Sequence, residues 1–281
     1  MLDAACRGAL VASTPGVVAS TSVTELSGIG ASRRTDGVLW VHNDSGDSPR
    51  VFAVGTDGSD LGEYVLDGAT ARDWEDLAIG PGPDGAQTYL YVGDIGDNAA
   101  ERASVQVYRA PEPVVTPTAG TPAPQLVTGV ATLTLTYPDG PHDAEALLVD
   151  PRSGELFIVT KVQDGTAPVF RAPANLADAS TTALTQVGTV SLGLGRAVTA
   201  ADVTPSGDVV ALRTYFGVVL FPRPSGAPLA EAFTQSPCSG AVASEAQGEA
   251  LGFTRGGRGY LTASEGPTPE LHRFKRPRRS R

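Results

Sequence analysis

The sequence predicts an all-β chain: a single β-propeller of five four-stranded blades, closed by an N-terminal strand. Three observations carry this. A unit of acid, short apolar stretch, Gly-containing turn and apolar strand recurs five times. Gly 33 and Pro 22 in 281 residues fall at regular intervals, as tight turns between short strands require. No window sustains a 3.6-residue apolar period, which excludes helical repeats.

The repeats start at Glu25, Glu75, Glu145, Thr199 and Glu249, so their spacings are 50, 70, 54 and 50 residues. That suits four strands with their loops. Each unit continues through a turn (Asp36-Gly37, Asp84-Gly85, Ser153-Gly154, Ser206-Gly207, Gly256-Gly257) into an apolar second strand. Third strands are expected at 50–54, 105–109, 168–171, 217–221 and 270–274. Fourth strands are expected at 62–66, 131–136, 184–191 and 231–234. The fifth unit lacks one, and segment 17–24 is expected to supply it, leaving no open edge. That arrangement brings the N-terminus beside the last blade, where Cys6 and Cys238 can meet. Whether they are bonded stays open at this point. Residues 111–124, rich in Pro, Thr and Ala, read as an exposed loop inside the second unit. The organisation is then a lead-in at 1–22, the propeller at 23–274 and a basic tail at 275–281.

A net charge of −10 argues against nucleic acid as a partner, because phosphate backbones need a basic footprint. It fits a cation, or a neutral or cationic partner. The tail departs from this average and reads as a solvated end or as an anchor to an acidic surface. No apolar run approaches the roughly 18 residues of a membrane span. Met1–Cys6 has no positive n-region and no apolar h-region, so it is not a signal peptide. Two settings stay open: extracellular or periplasmic if a leader has been removed, cytoplasmic if this N-terminus is native. The chain is expected to be a monomer.

The first strand of each blade lines the axis of a propeller, so the repeat gathers Glu25, Glu75, Glu145 and Glu249 at one mouth, with Thr199 in the fifth place. Converging carboxylates repel unless protons or a cation intervene. Oxygen-only donors favour a hard ion such as Ca²⁺. The alternative is an internal ion-pair ring, with Lys161 and Arg213 as neutralisers and Asp202 pairing with Arg213. A second acidic set follows the second strands, at Asp44-Ser-Gly-Asp47 and Asp94-Ile-Gly-Asp97, and Glu265 ends the second strand of the fifth repeat. Asp44, Asp47, Asp94, Asp97, Lys161, Arg213 and Glu265 are therefore candidate ligand-binding residues; for the loop acids the alternative is strand-capping turns. His142, near Asp143 and Glu145, is the candidate general acid or base, with Glu75 and Glu145 as catalytic carboxylates. Trp40 reads as core, whereas Trp74 is core or a stacking wall for sugar. No G-x-S-x-G elbow, P-loop, dinucleotide fingerprint or HExxH is present.

The stretches TELSGIGAS, DWEDLAIGP with LYVGDIGDN, HDAEALLVDPRSGELFIVTK, ALRTY and QGEALGFTRGGRGYLTASEG resemble exported β-propeller proteins of high-GC bacteria. Their blade pattern is similar to the SdiA-regulated, phytase-like and esterase-like propeller families. The resemblance spans about residues 23–274. It implies an extracytoplasmic setting and Ca²⁺ in the channel, and the phytase group would add phosphate-ester hydrolysis. Three functions stay open: a secreted, calcium-supported propeller binding a small molecule, glycan or protein partner; a hydrolase of glycosides or of phosphate or carboxyl esters using the mouth carboxylates; or an interaction module without a ligand.

Overall fold

The chain alternates short buried strands with tight turns, and the computed structural model describes residues 1–83, 85–116 and 123–277. A short helix, α1 (Leu2–Cys6), precedes β1 (Val11–Val17). The first blade holds β2 (Leu26–Ala31), β3 (Val38–Asn43), β4 (Arg50–Gly55) and β5 (Asp60–Leu66). The second holds β6 (Trp74–Pro81), β7 (Thr88–Asp94) and β8 (Val105–Pro111), then, past an insertion carrying β9 (Gln125–Val127), β10 (Ala131–Thr136). The third holds β11 (Ala144–Val149), β12 (Leu156–Thr160), β13 (Thr166–Ala172) and, beyond the short β14 (Thr181–Ala183), β15 (Thr185–Ser191). The fourth holds β16 (Val198–Val203), β17 (Val209–Thr214), β18 (Gly217–Pro222) and β19 (Cys238–Gly240). The last holds β20 (Gly248–Phe253), β21 (Gly259–Ser264) and β22 (Glu270–Lys275), with β1 antiparallel to β22 as its fourth strand.

The five blades and their N-terminal closure are as the repeat predicts. The closing strand, however, is Val11–Val17 rather than 17–24, because Gly16 and Val17 pair with Leu271 and Glu270 and the chain then turns away to reach β2. Residues 231–234 are not a strand either. They lie in a 3-10 helix, Leu229–Thr234, whose Leu229, Ala232 and Phe233 fill the gap between the third and fourth blades, and β19 takes the outer position. The insertion is less exposed than expected. Glu112 is fully buried and accepts from Ser32 Oγ at 2.6 Å and Trp40 Nε1 at 3.2 Å, Val115 is buried, and β9 runs parallel to β5 at the blade edge. Its middle, 117–122, lies outside the described residues, as do 278–281 of the basic tail. β14 likewise covers the edge of β10. Unpaired edges invite association with other chains, and these short parallel strands blunt them.

The inner strands β2, β6, β11, β16 and β20 are buried on both faces and pack against one another in a closed ring. Crowding at the axis selects small residues: a Cβ on Gly80 would stand 2.2 Å from Val149. Outward from the axis, neighbouring blades meet through large apolar faces. Phe157, Val159, Leu212, Phe221 and Phe233 form one such layer, and each side chain fully buried there contributes about 1.5–3 kcal/mol. Cys6 and Cys238 are bonded, tying α1 to the outer strand of the fourth blade.

Candidate functional site: the acidic mouth

Each inner strand breaks register near its start, at Leu26/Ile29, Trp74/Asp76, Ala144/Ala146, Val198/Ala200 and Gly248/Ala250. A bulge re-aims the residue it carries. In four blades that residue is Glu75, Glu145, Thr199 or Glu249, so the repeat does deliver three glutamates to one mouth. Glu25 is not the fourth. It is solvent-exposed and precedes β2, and the first blade's bulge holds Ser27 and Gly28. Ser27 Oγ donates to the Glu75 carbonyl, as Thr199 Oγ1 donates to the Gly248 carbonyl at 3.0 Å. These two blades fasten to their neighbours with a hydroxyl at the place where the others carry an acid. Glu25 stands on the outer rim instead, where its charge raises Asp44 and Glu265.

The residues after the second strands are, in register, Asp44, Ile95, Lys161, Tyr215 and Glu265. Ile95 is buried in the apolar core between the second and third blades, and the other four stand at the mouth. Asp44 is therefore not the counterpart of Asp94, as the shared acid-x-Gly-Asp pattern suggests. Asp94 matches Asn43, since each pairs with the first residue of its inner strand. Both hold the incoming chain: Asn43 accepts from the Thr24 and Glu25 amides, and Asp94 from those of Arg72 and Asp73. Asp94 also forms a buried pair with Arg102 at 2.8 Å. Asp47 is taken up by Asn43 Nδ2 and Arg50, each at 2.7 Å, and Asp97 by the Glu101 and Arg102 amides. Asp47, Asp94 and Asp97 thus act as turn and strand-end caps. Arg213 pairs with Glu245 at 2.6 Å rather than with Asp202. Asp202 instead accepts from the Phe253 and Val203 amides at 2.6 and 2.7 Å. Trp40 and Trp74 are both buried, so neither offers a wall to a sugar.

What remains is a concentrated set. The carboxylate oxygens of Asp44, Asp73 and Glu75 all lie within 4.8 Å of one another, and so do those of Asp44, Glu249 and Glu265. Asp44 belongs to both trios. Glu145 sits between them in the ring. Lys161 pairs with its Oε1, while Oε2 is buried with no hydrogen-bond partner among the described residues. Gly96 closes the second-blade side of the mouth, where a Cβ would lie 2.1 Å from Glu75 Oε1. Sequence reasoning did not single out Asp73, Gly96 or Tyr215 as site residues. For Tyr215 the signal is its position after a second strand, in register with Asp44, Lys161 and Glu265.

The electrostatics follow from this crowding. Burial pushes Glu75 well above the usual carboxylate range, and Glu145, Asp44 and Asp73 push it further. Burial also raises Glu145, to about 8, against the pull of Lys161, and Glu249, to about 7. Asp44, Asp73 and Glu265 are raised too, first by burial. Burial alone would lower Lys161, but Glu145 outweighs it and the ammonium is held up. At neutral pH the mouth is a store of protons that a cation can displace.

One consequence concerns stability. These glutamates titrate near 4.5 when unfolded and higher when folded, so the folded state binds more protons between about pH 4.5 and 8. Their contribution is greatest at the acid end of that window and is lost as pH rises through 7 and 8. With chelator present, the melting temperature should fall by several degrees from pH 5 to pH 8. A flat or rising profile contradicts the assignment. The carboxyls held low, Asp47 and Asp57, titrate below this window. Burial lowers His42 to about 4, which works the other way up to about pH 6.5 and offsets part of the fall at the acid end, so the steepest loss falls between pH 6.5 and 8.

His142 is set apart from these trios. Its Nε2 lies 2.9 Å from Asp139, and its ring packs on Tyr137 and Phe170 at 4.9 and 5.1 Å. Among the described residues no helix is long and apolar enough to cross a membrane. No family model matches the chain, and no curated protein matches it. Among solved structures, it is similar to one described as "Crystal structure of RRP9 WD40 repeats", at 10% identity and a TM-score of 0.43, over 94% of this chain and 99% of that one.

Proposed function

We propose that this propeller is an extracytoplasmic binding module whose acidic mouth holds Ca²⁺ and, beside it, the polar or cationic part of a small molecule, glycan or protein partner. The observation that carries the reading is the doubly shared Asp44, together with a buried Glu145 in the same ring whose Oε2 has no hydrogen-bond partner among the described residues. A scaffold could place Ser or Thr there, as the first and fourth blades do. Three changes to uncharged residues, at Glu75, Glu145 and Glu249, would relieve the repulsion, yet the carboxylates are present. Their donor set is oxygen only, which suits a hard cation. Ca²⁺–oxygen distances of about 2.3–2.6 Å let ligands on opposite sides of the ion stand about 5 Å apart, compatible with either trio. The disulfide fits an oxidising compartment and supports the extracytoplasmic setting.

The test is a melting curve of chelator-treated protein at pH 8 with and without CaCl₂. At 100 times the dissociation constant, binding adds about 2.7 kcal/mol, a rise of roughly 5–10 °C. Glu75→Gln should raise the metal-free melting temperature by relieving repulsion and cut the Ca²⁺-dependent rise to a degree or two. A Ca²⁺ response unchanged in Glu75→Gln and in Glu145→Gln overturns the site. Gly96→Ala supplies a separate check. Its methyl group must displace Glu75 or Asp73, so it should weaken Ca²⁺ at least tenfold with little change in the metal-free melting temperature.

A hydrolase reading rests on one further observation. Glu75 and Glu145 are buried near each other; burial pushes both up, and Glu145, raised to about 8, holds a proton at neutral pH, as a general acid requires. Chromogenic glycosides, phosphate esters and carboxyl esters test it. Turnover lost in Glu75→Gln supports it, and no turnover of any of them refutes it.

A further inference from the structure

The end of the propeller opposite the acidic mouth holds a cleft of about 430 Å³ between the second and third blades. Its walls come from the β6–β7 turn, the β11–β12 turn and the connection after β13. Leu133, Leu156 and Leu176 give it an apolar floor. Two arginines line it: Arg152 at the rim, part-exposed and paired with Asp208, and Arg109, on β8, which is only 8% exposed.

Arg109 is unusual in its surroundings. Among the described residues its guanidinium donates to the Leu176 carbonyl at 3.0 Å, lies beside the Tyr91 hydroxyl and stacks on the Tyr89 ring at 6.0 Å. Among the described residues no carboxylate pairs with it, and its Nε has no hydrogen-bond partner. A guanidinium offers five donors, so much of this capacity is unused. The other strongly buried arginines, Arg102, Arg213 and Arg223, each have an acid against them. A buried charge without a counter-charge is costly unless something supplies one.

From this we infer that the cleft binds a small organic monocarboxylate with an apolar body. The one lining guanidinium without a counter-charge balances one negative charge, and Arg–carboxylate pairing is bidentate and directional. The apolar floor requires a body that inorganic phosphate does not have, and Arg152, already taken up by Asp208, leaves the second charge of a phosphate dianion without a free partner. The volume lies in the range of small-molecule sites. The site does not depend on the acidic mouth.

The test is an NMR titration of the full chain with phenylacetate, phenylacetamide and inorganic phosphate. Phenylacetate should shift the backbone amides of Gly154 and Leu176 and bind at least tenfold tighter than phenylacetamide, with phosphate weaker than phenylacetate. Arg109→Gln should erase the difference between acid and amide. Glu75→Gln, at the other end, should leave it unchanged. Should Arg109→Gln fail to fold, the ratio of acid to amide in the unmodified protein decides alone. Equal binding of acid and amide, shifts confined to other blades, phosphate binding tighter than phenylacetate, or no shift at tens of millimolar phenylacetate each overturns the inference.

Discussion

Replacing Asp76 with alanine should destabilise the propeller by about 3–5 kcal/mol. Asp76 follows the bulged Glu75 on β6 and is fully buried. Its Oδ1 accepts the Leu77 amide at 2.8 Å, and its Oδ2 accepts those of Leu147 on β11 and Ala201 on β16 at 2.9 and 3.0 Å. One carboxylate therefore reaches across the axis and joins the inner strands of three blades. Burial pushes its pKa well up, and the three N–H groups oppose that. Removing it leaves buried donors unpaired, each costing about 1–3 kcal/mol. Asp76→Asn keeps one acceptor and should lose less. Urea unfolding with an unchanged slope is the readout. A loss under about 1 kcal/mol for Asp76→Ala would mean that the three bonds are replaceable.

Removing the disulfide should have a comparable effect by a different route. Cys6 and Cys238 are 232 residues apart, and a loop that long restricts the unfolded chain strongly. The loop-entropy relation gives about 5 kcal/mol, an upper figure, since measured values usually fall short. In the folded protein the bond holds α1 against β19, one step before β1 closes the fifth blade. The double change Cys6→Ser, Cys238→Ser should cost about 3–5 kcal/mol. It should also let β1 exchange its amide hydrogens faster than β20, because β1 is the outermost strand of its sheet. Equal protection of β1 with and without the bond would show that strand pairing alone closes the ring.

The blade count and the closure by an N-terminal strand were legible because all five units keep one order of acid, turn and apolar strand. The register inside the units was not. Glu25-Leu-Ser-Gly aligns by eye with Glu75-Asp-Leu-Ala, yet the first bulge takes one residue more, and Ser27 replaces the acid. The same shift makes Asn43, not Asp44, the partner of Asp94. A bulge changes which residue faces the axis without changing composition, so spacing alone misses it. The outer strands were harder still. β9, β14 and β19 are three residues each; β9 and β14 lie on the edge of the preceding blade and β19 on the edge of its own, so pairing rather than local propensity sets their place. Within the mouth, the pairing of Lys161 with Glu145 follows from their places in one repeat. Glu245 as the partner of Arg213 lies in a connection that no repeat position marks.

The account stands or falls on whether the mouth exchanges protons for a cation. Titrating CaCl₂ calorimetrically into chelator-treated protein, in two buffers of different ionisation enthalpy at pH 7, reads both events at once. The prediction is saturable binding with about one proton or more released per ion, from Glu145 and Glu249, falling toward zero by about pH 9. No binding at millimolar Ca²⁺, or binding whose heat does not depend on the buffer, would contradict it.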